Sequence, residues 1–175
     1  PNQLLIRDLN RFERLALHEI TLTEICVETR LDELTALLLP EGPWRVETLG
    51  HADPLITDAT LFDEIMSELI SNAIKHHSDF DGFIRISIGE AAGSISVEIS
   101  DNGPGVPSGQ LNRIFWPLVK LRSRDEVAGS GLGMSIALRA TQKLGGRVEV
   151  CAGADTGFAL RVVLPKHATG MVAGA

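Results

Sequence analysis

The most regular stretch of the chain lies at residues 61–74. Leu61, Phe62, Ile65, Met66, Leu69, Ile70, Ala73 and Ile74 recur at helical spacing and form one apolar face, with Asp58 or Thr60 placed to cap the helix. Residues 2–17 carry a second stripe, Leu4, Leu5, Leu9, Phe12 and Leu15, on an otherwise polar helix, which needs a partner helix or the domain body. An extended piece at 19–22 leads to Thr23, an N-cap candidate for a helix running to about residue 39. Pro40-Glu41-Gly42-Pro43 breaks that helix. Residues 44–49 and 55–57 read as short strands. Ile84, Ile86 and Ile88, then Ile95, Val97 and Ile99, alternate as a hairpin with one buried face. A last helix from about 131 to 144 stops at Gly145-Gly146, and strands at 147–152 and 158–164 close the domain. The pattern predicts an α+β fold: a two-layer sandwich with a mixed, mostly antiparallel sheet and about three helices on one face.

Composition narrows the function. The chain has 175 residues, 44% of them hydrophobic, which suits one domain plus an end helix. No apolar run is long enough to span a bilayer and no leader pattern is present, so a cytoplasmic domain is expected, whatever the parent protein carries elsewhere. The formal net charge of −7 argues against a nucleic-acid surface. It does not exclude a nucleotide, whose phosphates a few local cations and a metal can hold. Cys26 and Cys151 make no CxxC pair and read as reduced, partly buried thiols, and no zinc spacing occurs.

Three patches carry candidate chemistry. The polar face of the helix at 61–74 presents Glu64, Glu68, Asn72, Lys75 and His76. The Asn72 amide oxygen suits Mg²⁺, which takes hard oxygen ligands, and Lys75 suits a phosphate oxygen. A solvated helix face gives the same stripe. Asp101-Asn102-Gly103-Pro104-Gly105-Val106-Pro107 follows a buried strand, where an aspartate can accept a hydrogen bond from an exocyclic amine; an ordinary turn reads the same way. Gly129-Ser130-Gly131-Leu132-Gly133 opens the last helix, and its exposed N–H groups suit a phosphate. No Lys-Ser/Thr follows, as a Walker A loop requires, and no βαβ unit surrounds it, as a Rossmann fingerprint requires.

Together and in this order, the patches resemble the catalytic, ATP-binding domain of sensor histidine kinases, within the Bergerat-fold ATPases. Residues 68–76 (Glu-Leu-Ile-Ser-Asn-Ala-Ile-Lys-His) are similar to the N box, 101–105 to the G1 box, Ile114-Phe115-Trp116-Pro117 to the F box and 129–133 to the G2 box. The resemblance covers about residues 21–166, and Arg124-Asp125-Glu126-Val127 is similar to lids of phytochrome-like and PAS-linked kinases. It implies that Asn72 holds Mg²⁺, that Lys75 meets phosphate and that His76 lies near the nucleotide. It implies that Asp101 recognises the adenine amine, with Gly103, Gly105 and Val106 beside the base. A lid between Phe115 and Gly129 would include Leu121, Arg122 and Arg124, of which an arginine would reach a phosphate. Gly129, Ser130, Gly131, Leu132 and Gly133 would form the hinge and phosphate-facing turn, and Thr156 would support the adenine pocket. Glu68 stands where many such kinases have asparagine and related ATPases have a general base; a supporting role is expected. The third glycine box is degenerate, with Asp155 in place of its middle glycine.

The resemblance also implies partners: a histidine-bearing helical dimerisation domain, a response regulator receiver domain, and a homodimeric full-length protein. Residues 1–18 would then be the end of the second dimerisation helix with its linker, 19–166 the catalytic domain and 167–175 a disordered tail. His18-Glu19 mimics an acceptor motif but stands at a helix-to-strand junction, so the acceptor is expected outside this chain. His51, His77 and His167 are expected to be solvated. Two other readings remain: a related ATPase using Glu68 as base, and a nucleotide-binding module without catalysis.

Overall fold

β-Branched alternation builds the sheet. Ile84, Ile86 and Ile88 of β4 (Phe83–Ala91) and Ile95, Val97 and Ile99 of β5 (Ser94–Asp101) all point into one core and are buried. The computed structural model describes residues 2–75, 81–106, 108–115, 130–151 and 157–169. Within them run α1 (Asn2–Leu17), β1 (Thr23–Ile25), α2 (Val27–Leu38), β2 (Arg45–Leu49), β3 (Leu55–Thr57) and α3 (Ala59–Lys75), followed by β4 and β5. A 3₁₀ turn (Ser108–Arg113), α4 (Gly133–Lys143), β6 (Arg147–Cys151) and β7 (Ala159–Pro165) complete the order.

The main sheet has five strands in the order β2-β4-β5-β7-β6, so β5 lies at its centre. The β2–β4 pair is parallel and the other pairs are antiparallel. Helix α3 packs on β5 and on α4, α4 packs on β6, and α2 and α1 lie outside on α3 and α4 respectively. The expected sandwich is therefore observed, with four α-helices among the described residues. The apolar stripe of α3 is buried through Leu61, Phe62, Ile65, Met66, Leu69, Ile70 and Ala73. Asp58 caps the helix by accepting the Leu61 amide hydrogen at 3.0 Å.

Four expectations change. Thr23 does not cap a helix: it opens β1, which pairs with β3 from Thr23 opposite Thr57 to Ile25 opposite Leu55, and α2 starts only after Cys26. Burial of Ile25 and Leu55 in the core outweighs the local capping preference. On α1 the packed residues are Leu5, Phe12 and Leu15, while Leu4 and Leu9 are exposed. Cys26 is exposed rather than partly buried; Cys151 is partly buried, and both thiols are free. His167 and Ala168, expected in the tail, belong to the ordered body: His167 bridges to Ile56, and Ala168 is buried.

Candidate functional site

Glu68 joins two of the three predicted patches. It lies on α3 one turn before Asn72, and it is buried although it carries charge. Its carboxylate sits so close to Gly133, the first residue of α4, that a Cβ there would collide with Oε2. Glycine is what lets the helix N-terminus approach the carboxylate. The contact suits the positive end of the helix dipole. Asn72 is half-buried and Lys75 exposed, further along the same face. Among the described residues, no side-chain hydrogen bond engages the Asn72 amide. A half-buried amide one turn from a buried carboxylate offers oxygen atoms of the hard kind that Mg²⁺ takes.

The turn opening α4 is arranged by side chains. Ser130 Oγ accepts the Leu132 amide hydrogen at 3.1 Å, and Gly131 takes a positive φ of 82°. Leu132 is buried and anchors the turn in the core. Ser135, one turn into the helix, donates to the Phe115 carbonyl at 3.0 Å and so holds the end of the F-box segment. Ile114 beside it is buried.

The third patch is built by the sheet. Asp101 ends the central strand and is buried; its Oδ1 accepts the Gly103 amide hydrogen at 2.8 Å, closing the turn on itself. The Asp101 amide donates to the Phe158 carbonyl at 3.0 Å. Asn102 pins the turn to β4 by accepting the Phe83 amide hydrogen at 2.9 Å, and its own amide donates to the Asp81 carbonyl at 3.1 Å. Gly157 lies against this turn with φ 121°, and a Cβ there would strike the Asp101 carbonyl. Gly105, with φ 72°, faces Gly157 in turn. Gly103 is buried, while Gly105 and Val106 are partly buried.

Two groups of residues escaped the sequence reading. Gly157 stood only inside a degenerate box, yet it is the residue on which the Asp101 turn rests. Asp8 and Arg11 of α1 were not singled out. Arg11 donates to Glu68 Oε1 at 2.6 Å and to Glu64, and pairs with Asp8 at 3.1 Å. Partial burial opposes the Arg11 charge, but the Glu64 and Glu68 carboxylates overcome it and raise the guanidinium pKa. Ser130 Oγ donates to Asp8 at 2.5 Å. No local periodicity signals ion pairs between residues 53 and 57 positions apart.

His76, Leu121, Arg122, Arg124, Gly129 and Thr156, together with Trp116, Pro117, His77 and the lid type, lie outside the described residues. His18 is not a plain surface residue: its Nε2 lies 2.8 Å from Asp58 Oδ2. Among the described residues no cluster of His, Cys, Asp and Glu has metal-binding geometry. An open groove of about 480 Å³ runs between α1 and α4, lined by Phe12, Phe115, Ser135, Leu138, Arg139, Gln142 and Lys143. It includes none of the three patches.

The site among the described residues thus combines a buried aspartate at a strand end with a glycine-opened helix set against Glu68 of α3. Residues 57–168 match the family described as histidine kinase-, DNA gyrase B- and HSP90-like ATPases, and the chain belongs to that family. Its relatives are sensor kinases. It is 28% identical over 169 residues to the alginate biosynthesis sensor protein KinB of Pseudomonas aeruginosa, covering 93% of this chain and 28% of that protein. It is 39% identical over 108 residues to the sensor protein PfeS of the same species, covering 60% of this chain and 23% of that one. The fold matches full-length ShkA crystallised with AMPPNP at a TM-score of 0.80 and 23% identity, over 95% of this chain and 36% of that one. It matches the mycobacterial sensor histidine kinase MprB at 0.73 and 21% identity, over 84% of this chain and 100% of that one. The chain spans from 12% to 34% of the length of such curated relatives.

Proposed function

We propose that this chain is the ATP-binding catalytic domain of a protein-histidine kinase. It presents the γ-phosphoryl group of ATP to a histidine on a separate helical dimerisation domain, from which a response regulator aspartate receives it. The observation that carries this reading is the contact of Glu68 on α3 with Gly133 at the start of α4, which sets the Asn72 face of α3 against a helix N-terminus. Family membership and the sensor-kinase relatives support it.

In this reading Asp101 accepts the adenine amine, and Gly103, Gly105 and Val106 lie beside the base. The N–H groups around Ser130, Gly131, Leu132 and Gly133 receive phosphate, and Lys75 offsets its charge. Mg²⁺, held by Asn72, supplies charge neutralisation on the phosphates when bound. The protein contributes positioning and electrostatics; the nucleophile comes from the partner domain. Glu68 is engaged by Arg11, which speaks for a supporting role and against a free general base. Residues 1–18 act as the end of the second dimerisation helix, and Ile6 and Leu17, both exposed on α1, suit a helical partner in a homodimeric parent protein. Among the described residues no helix is long and apolar enough to cross a membrane, which suits a cytoplasmic domain.

The test mixes this chain with a histidine-bearing dimerisation domain and γ-labelled ATP. Label should reach the histidine, Asn72→Ala should abolish transfer and Asp101→Asn should weaken nucleotide binding. Nucleotide binding without transfer would reduce the chain to a binding module, and partner-free turnover lost in Glu68→Ala would make it an ATPase.

A further inference from the structure

Helix α1 reaches both faces of the site through residues one turn apart. Asp8 accepts the Ser130 hydroxyl hydrogen at 2.5 Å, in the turn whose N–H groups open α4. Arg11 donates to Glu68 at 2.6 Å, on the carboxylate that abuts Gly133. The two contacts bridge 122 and 57 residues of sequence, so they record where α1 is seated and not merely its local helicity. The seat is unequal along the helix. At the C-terminal end Leu15 is buried, Arg139 lies over the Phe12 ring at 4.7 Å, and Lys143 donates to the carbonyls of Leu15 and His18 at 2.7 Å each. At the N-terminal end Leu4, Ile6 and Leu9 are exposed and Leu5 is only partly buried, so Asp8 and Arg11 carry much of the attachment.

Charge makes this attachment antagonistic to an anion. Asp8, Glu64 and Glu68 surround one guanidinium, so three carboxylates meet a single positive charge. An arriving phosphate needs the Ser130 turn, and it meets there the Asp8 carboxylate that already holds the Ser130 hydroxyl.

We propose that the N-terminal half of α1 is a releasable latch on the phosphate-binding turn: Asp8 on Ser130 and Arg11 on Glu68 hold it closed, and nucleotide phosphates and the latch exclude one another. This rests on the nucleotide-site reading above. Because coupling is reciprocal, the signal that lifts α1 raises nucleotide affinity, and nucleotide loosens α1. The N-terminal half swings on the anchored C-terminal half.

Titration of this chain with Mg²⁺ and the imido analogue of ATP, alongside hydrogen exchange of the α1 amides, tests the latch. Asp8→Ala should bind about three- to tenfold tighter, the range expected for a partly exposed charged hydrogen bond. Asp8→Asn, which keeps an acceptor without the charge, should fall between it and the wild type. In the wild type, nucleotide should speed exchange in residues 5–11 and leave residues 13–17 protected. Equal or weaker binding by Asp8→Ala, or unchanged or slowed exchange at 5–11, overturns the latch. If Asp101→Asn still weakens binding in that case, the nucleotide-site reading stands and the latch alone is lost. If the wild type binds no nucleotide, both fall.

Discussion

The two glycine turns of this molecule are held in opposite ways. The turn at 101–105 ends the central strand and is fixed by the sheet: backbone bonds to Phe158 and Phe83, an internal bond from Gly103 to Asp101, and contact with Gly157. The turn at 130–133 rests on buried Leu132 and its own Ser130–Leu132 bond, and is held besides by side chains from other helices, Asp8 of α1 and Glu68, which Arg11 holds. The first therefore moves only if the sheet moves, and the second can respond to a single surface helix. A site that must grip a flat base and release or admit charged phosphates gains from that division, since backbone ladders are uniform and side-chain ion pairs are negotiable.

The largest effect should come from attacking the rigid turn. Gly157→Val forces a side chain into the Asp101 carbonyl at a positive φ, and should cost about 2–4 kcal/mol in thermal or denaturant unfolding. Arg11→Ala comes next. It leaves Glu68 buried without its cation and should cost about 1–3 kcal/mol, with Arg11→Lys recovering part of the loss in the same unfolding assay. If Gly157→Val proved milder than Arg11→Ala, the contrast between the turns would reverse.

Asp58 sharpens the comparison from a third place. Burial pushes its carboxyl up, but the Thr21 amide, His18 and the Leu61 amide more than reverse this and hold it below the ordinary aspartate range. A lowered folded pKa gives stability that is present above the unfolded value of about 4 and lost as pH falls through the folded one. Unfolding midpoints should therefore drop below about pH 4, and Asp58→Ala should flatten that drop while costing about 1–2 kcal/mol at neutral pH. The smallest effect belongs to the outer sheet face: Arg161→Ala removes its partly exposed pairs with Glu98 and Glu149 and should shift stability by about 0.5 kcal/mol.

What could be read from the residues follows from range. The α3 stripe and the β4–β5 alternation are local periodicities, and both elements appear where the pattern puts them. Thr23 was misread because threonine serves equally as cap and strand former, and the deciding partner, Thr57, lies far along the chain. The α1 stripe was read too wide for a similar reason: helical spacing admits all five residues, and only docking on the body packs Leu5, Phe12 and Leu15 while Leu4 and Leu9 stay exposed. In the candidate site, Glu68 was legible as a polar neighbour of Asn72, but its burial was not, because Arg11 compensates it from another helix. Gly157 was legible only as a glycine; its necessity depends on the register that brings β7 beside β5.

That register has a consequence for how the domain comes into being. The strand that carries Asp101 is flanked on one side by its hairpin neighbour and on the other by β7, the last strand among the described residues. A growing polypeptide that has emerged only as far as α4 holds every residue of the α3 face and both glycine turns, yet still lacks Phe158 and Gly157, which complete the support of the Asp101 turn. Competence must therefore arrive late and all at once, when the final strand is delivered, and C-terminal deletions reaching into 159–165 should erase the site even though they remove none of its proposed contacts.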